Sequence, residues 1–96
     1  MPENTKFTQP FHIDFTENNY PVLIEPRIFV PTEEAYEVPI PQLIQEMRVT
    51  EPDLALKWDL QIRKIIQTLF IENYSIIAVR KTKEPVNYYQ FIKKMK

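Results

Sequence analysis

The residues of this chain whose types and spacing could do chemistry are few, and Trp58 and Arg63 are the most suggestive pair. Trp58 belongs to an apolar helical stripe, and Arg63 falls near the border of that stripe, about 140° around the helix axis. A partly buried arginine favours a carboxylate partner, and Glu37 on a neighbouring predicted strand is the natural candidate. We expect a structural ion pair between strand and helix, and the alternative is an arginine that binds an anion or an acyl group. Trp58, Arg63 and Glu37 are therefore the candidate binding residues.

No catalytic arrangement can be recognised around His12, the single histidine. Asp14 shares a predicted strand face with it, and Ser75 is the only serine, but nothing places Ser75 on the sharp strand-to-helix turn that such nucleophiles use. The acidic residues lie near turns or at a helix start, where the helix dipole already explains them. We predict no catalytic residue and no metal site. Whether the chain is an enzyme stays open, and the non-enzymatic interpretation is preferred.

Two residue types are absent, and their absence excludes several kinds of site. The chain has 96 residues with no glycine and no cysteine. Without glycine, a phosphate-binding loop or a dinucleotide-binding turn cannot be built, and we therefore expect no cofactor. Without cysteine there is no disulfide, thiol nucleophile or zinc–thiolate site.

The charge and hydropathy patterns exclude other classes of partner. A net charge of −1 and a pI near 5.8 argue against non-specific binding to nucleic acid or to an anionic membrane, which needs clustered positive charge. No apolar run approaches the roughly 20 residues that span a bilayer, and the N-terminal residues show no secretory pattern. We expect a cytoplasmic protein that binds neither nucleic acid nor membrane.

Hydrophobic periodicity predicts an α+β fold. Residues 52–72 form a long amphipathic helix, opened by Thr50 as a cap and by Pro52 in its first turn. Its apolar stripe is broad and consists of Leu54, Leu56, Trp58, Ile62, Ile65, Ile66, Leu69 and Phe70. Asn73 is the expected stop.

Short alternating segments predict the strands on which this helix packs. They are residues 11–15, an edge segment over 20–31, a strand ending at Pro39 and Pro41, and a C-terminal β-hairpin over 74–92 that is central in the sheet. A short helix over 42–47 follows the third of them. The whole is one long helix on a small antiparallel or mixed sheet, with residues 1–10 as a flexible lead-in and 11–96 as one domain.

Residues 36–77 resemble the C-terminal segment of a group of predicted GNAT-superfamily acetyltransferases. The matching residues are Glu37-Val38-Pro39, then Pro52-Asp53-Leu54-Ala55-Leu56-Lys57-Trp58, Leu60 and Arg63, and finally Phe70 to Ile76 with Asn73 where that group usually has glycine. The resemblance implies no catalytic residue, because the part of those enzymes that holds acetyl-CoA precedes this segment. Asp59 also replaces the second residue of the group's usual Trp-Arg pair.

Resemblance and composition together predict a small, non-catalytic binding or protein-interaction domain related to that C-terminal segment. The alternative is the acceptor-side half of a split or truncated acyltransferase, whose partner carries the CoA site. We also expect a homodimer, because a small sheet with a helix on one face needs a cover for the other. Residues 7–15 of the same chain are the competing cover.

Overall fold

One long helix organises the structure, a computed structural model that describes residues 6–94. The elements in chain order are β1 (His12–Phe15), β2 (Pro21–Ile24), β3 (Ala35–Pro41), α1 (Ile44–Thr50), α2 (Pro52–Ile71), β4 (Tyr74–Arg80) and β5 (Val86–Lys93). The predicted class is confirmed: this is an α+β fold in which α2 packs on a small antiparallel sheet that ends in a β-hairpin.

The ends of α2 follow from local chemistry. Pro52 opens the helix, where its missing N–H costs nothing, and Asp53 places a negative charge in the first turn. The predicted cap, Thr50, is wrong: it ends α1, and its hydroxyl donates to the carbonyl of Glu46 at 3.0 Å. Asn73 does terminate the helix, with φ of 72° and its N–H donating to the carbonyl of Phe70 at 3.1 Å.

The main sheet has three antiparallel strands in the order β3-β5-β4. Only the second strand of the C-terminal hairpin is therefore central, and β4 lies at an edge. The prediction of a wholly central hairpin was wrong because β3 pairs with β5 along its full length, from Ala35 opposite Ile92 to Pro41 opposite Val86.

Pro39 lies inside β3, although the sequence predicted that it helps to end the strand, whereas Pro41 is the last residue of β3, as predicted. The N–H of Glu37 points away from β5, toward the carbonyl of Thr8 at 2.9 Å. Peptide groups alternate in direction along a strand, so the nitrogens of Pro39 and Pro41 also point away from β5. Their missing N–H groups therefore remove no hydrogen bond between β3 and β5.

The proline-rich segment over 20–31 does not join the main sheet as an edge strand. Its first part, β2, pairs with β1 in a separate two-stranded antiparallel sheet. This hairpin packs against the side of α2. Trp58 Nε1 donates to the carbonyl of Pro21 at 2.7 Å, and the Gln61 amide donates to the carbonyl of Leu23 at 3.2 Å.

The hydrophobic core lies between α2, the main sheet and the β1–β2 hairpin. Trp58, Ile65 and Leu69 of α2 are buried in it. Two members of the predicted stripe, Leu56 and Phe70, are more than half exposed. Both lie over 100° around the helix from Trp58, and the buried face is therefore narrower than the apolar residues suggested.

The described part of the predicted lead-in is joined to the main sheet. Thr8 forms a parallel bridge beside Tyr36, and its N–H donates to the carbonyl of Ala35 at 3.0 Å. The other lead-in residues, 1–5, and the domain's last two, 95–96, lie outside the described residues. Within residues 6–94, neither helix has the length and apolarity needed to cross a membrane.

We predict that Trp58→Ala lowers the free energy of unfolding by about 3–5 kcal/mol, because it leaves a large cavity and an unpaired Pro21 carbonyl. The measurement is urea denaturation followed by circular dichroism. Leu56→Ala on the same helix is the control and should change stability by less than about 0.5 kcal/mol. Equal losses in the two variants would contradict the packing described above.

Candidate functional site

An open groove of about 490 Å³ lies between α2, α1 and the sheet. We call it the α2 groove. Its apolar lining consists of Ile40, Pro41, Ile44, Trp58, Ile62, Ile66 and Tyr89. Helical spacing brings three of these from α2 to one side, and the alternation of β3 and β5 brings Ile40 and Tyr89 to the facing side.

Charged side chains also line this groove: Arg48, Asp59 and Arg63. Arg48 Nη2 lies 3.2 Å from an Asp59 carboxylate oxygen, and both side chains are 43% exposed. Such an exposed ion pair contributes little to stability. Because a guanidinium has five N–H donors, Arg48 also keeps donors for another acceptor. Among residues 6–94, no carboxylate lies within ion-pair distance of Arg63. The groove therefore combines apolar walls with donors suited to a carboxylate.

Glu37 does not lie in this groove, and its predicted pairing with Arg63 is wrong. The helices pack on the face of β3 that carries Tyr36 and Val38, whereas Glu37 points from the other face. Its partner is Arg80 of β4, with Nε to Oε2 at 2.6 Å and Nη2 to Oε1 at 2.9 Å. Of the three predicted binding residues, the structure brings together Trp58 and Arg63 only.

The carboxylate of Glu37 is fully occupied by hydrogen bonds. Besides the bidentate pair with Arg80, it accepts from the amides of Gln90 at 2.8 Å and Gln9 at 2.6 Å. Burial acts to raise the pKa of Glu37, but the hydrogen bonds from Arg80, Gln90 and Gln9 outweigh it, so its pKa is below its ordinary value. The same pairing raises the pKa of Arg80. Glu37 is therefore a buried structural anion with no free lone pair for a ligand.

The considered catalytic residues do not converge. His12 and Asp14 lie on β1, in the two-stranded sheet, whereas Ser75 lies on β4 of the main sheet. Asp14 Oδ1 accepts from the N–H of Phe15. The lining of the α2 groove, as far as the structure describes it, contains no histidine, serine, threonine or lysine.

Sequence reasoning missed Arg48, Arg80 and Gln90. Arg48 could have been connected to Asp59 only by knowing how α1 folds back on α2. Gln90 stands directly opposite Glu37 in the register of β3 and β5, and Arg80 of β4 stands opposite Tyr88, two residues before Gln90 on β5. A register that fixes such pairs depends on the whole sheet, and the sequence carried no local signal of it.

Comparisons with protein-family models, with curated proteins and with solved structures find no match to this chain. The resemblance of residues 36–77 to an acetyltransferase segment is thus untested and stays a hypothesis.

We predict that Glu37→Gln lowers stability at pH 7 by about 1–3 kcal/mol, because it removes the charge from the bonds with Arg80. The folded-state pKa of Glu37 is lowered, so its contribution is fully present above the unfolded-state pKa and is lost as pH falls through the folded-state value. The difference between wild type and variant should therefore shrink in acid. The measurement is urea denaturation between pH 7 and pH 2.5.

The matched control is Glu34→Gln, which changes the exposed carboxylate immediately before β3 and should give a small difference in stability that does not depend on pH. A Glu37→Gln effect that is independent of pH would show that the ionised carboxylate is not the stabilising species.

Proposed function

We propose that this chain is a small, non-catalytic protein-interaction domain whose α2 groove binds an apolar segment that carries an acidic side chain. The observation that supports this most directly is Arg63, a guanidinium without a carboxylate partner among residues 6–94, at the border of an apolar groove. A ligand carboxylate there would gain charge-assisted, bidentate hydrogen bonds.

The size and shape of the α2 groove favour a peptide segment as its occupant. It is open, about 490 Å³ in volume, and lined by isoleucines on both sides. Two or three apolar side chains of a partner would fill this space, as an amphipathic helix does in a hydrophobic groove. Arg48 and Arg63 together then select partners with negative charge near the apolar anchors, and Asp59 disfavours a second acid beside Arg48.

The alternative function is the acceptor-side half of a split acyltransferase related to the GNAT superfamily. The absence of glycine supports a chain that lacks its own pyrophosphate loop, and the same α2 groove would then face the partner that carries the CoA site. A relationship to the C-terminal segment of that family is compatible with both functions.

We predict that Arg63→Glu reverses the charge preference of the groove. A random 12-residue peptide library displayed on phage is selected against the wild-type chain and against the variant. Wild type should enrich peptides with apolar residues and Asp or Glu, and Arg63→Glu should enrich Lys or Arg in their place. For one selected acidic peptide, the variant should raise Kd by about tenfold or more.

Lys64→Glu makes the same charge change on the adjacent, outward-facing residue and is the matched control. It should keep the acidic preference. Trp58 is the only tryptophan and lines the groove, so its fluorescence reports occupancy separately from the selection. Enrichment of the same acidic peptides on Arg63→Glu would refute the proposed site.

Titration calorimetry with acetyl-CoA tests a premise that the two functions share. For an interaction domain or a half-enzyme alike, the isolated chain should show no binding at millimolar acetyl-CoA, because it has no glycine with which to build the phosphate loop. Tight binding would contradict both. A competition experiment separates the two functions. A half-enzyme should bind a truncated acetyltransferase core through the α2 groove, and the acidic peptide should compete with that core for the groove.

A cytoplasmic location and self-association also remain proposals. Self-association is supported by a different surface of the molecule.

A further inference from the structure

The two edges of the main sheet differ in how they are covered. Beside β3 runs the N-terminal segment, with Thr8 bonded to the backbone of Ala35 and Glu37. Beside β4 no strand or bridge occurs among residues 6–94. The outward N–H and C=O groups of β4 are therefore available to another strand.

The uncovered edge is apolar, which is unusual for an exposed strand. Ile76 and Ile77 are each 41% exposed and Val79 is 46% exposed. A register shift between Ile76 and Ala78 interrupts the alternation of faces at this point. Phe70 and Ile71, at the end of α2 just before β4, are also exposed. β4 contains no proline, and its one charged residue, Arg80, is bonded to Glu37.

β4 is flanked by residues of opposite charge, which would pair between two copies of the strand that run antiparallel. Glu72 precedes the strand and Lys81 follows it, and both are exposed. A second β4 placed antiparallel about a two-fold axis brings Glu72 of each copy toward Lys81 of the other. A parallel arrangement would place like charges side by side.

We propose that two copies of this chain associate by antiparallel pairing of their β4 strands. The three-stranded sheets then join into one sheet across the two-fold axis. Pairing satisfies the free backbone groups of both edges and removes Ile76, Ile77 and Val79 from water, while the Glu72–Lys81 pairs fix the antiparallel direction. This surface is separate from the α2 groove, whose lining contains no residue of β4.

Sedimentation equilibrium of the full chain measures this association directly. The wild type should approach twice the monomer mass of 11.6 kDa as concentration rises. Ile77→Lys places a charge in the interface and should raise the dimer dissociation constant by about tenfold or more. Val49→Lys makes a similar change on α1, at a residue that is 83% exposed, and should leave the association unchanged. Circular dichroism melting confirms that each variant folds.

A charge swap tests the direction of pairing. Glu72→Lys and Lys81→Glu should each weaken the dimer several-fold at low salt, and the double variant should restore it. Two results would overturn the proposal: a wild-type mass of 11.6 kDa at every concentration, or equal dimer dissociation constants for Ile77→Lys and Val49→Lys. Ile77→Lys should still bind the acidic peptides selected on the α2 groove, so the failure of either proposal can be recognised separately.

Discussion

The buried hydrogen bond from Trp58 to the carbonyl of Pro21 is the interaction on which the rest of the structure depends. Trp58 is 1% exposed, and its indole packs in the core while its single N–H reaches the β1–β2 hairpin at 2.7 Å. A buried indole N–H needs an acceptor, and this one fixes the hairpin against α2. The same ring lines the α2 groove, so the position of the hairpin and the shape of the groove are coupled through one side chain.

The chain has no glycine, so other residues must supply its positive-φ turns, and asparagine does so here. Asn19 and Asn73 take positive φ values of 64° and 72°, which asparagine tolerates better than most residues. Asn73 in this role lets α2 turn directly into β4. Proline is placed where its lost N–H points away from the neighbouring strand, as in Pro39 and Pro41 of β3. The chain thus obtains sharp turns and a protected edge at β3 without glycine.

Features that depend on neighbours in sequence could be predicted, and features that depend on distant pairing could not. The bounds of α2 and the C-terminal hairpin follow from periodicity, Pro52 and Asn73, all of which act locally. The strand order β3-β5-β4 and the partner of Glu37 depend on a register set by three strands together. The same limit applies to the candidate site: Arg63 was found near the edge of the stripe, but whether it faced an acid or a groove depended on which side of β3 Glu37 occupies.

The hydrogen bonds that Glu37 accepts bear on the proposal of a binding domain. Catalytic groups need a perturbed pKa together with free access to a substrate. Glu37 has a lowered pKa, but its two oxygens are occupied by Arg80, Gln90 and Gln9. The groups that would meet a partner in the two proposals are instead a guanidinium beside apolar walls and the backbone of an edge strand. Neither transfers a proton at neutral pH, since an arginine stays charged there, but both recognise another chain by charge and hydrogen bonding.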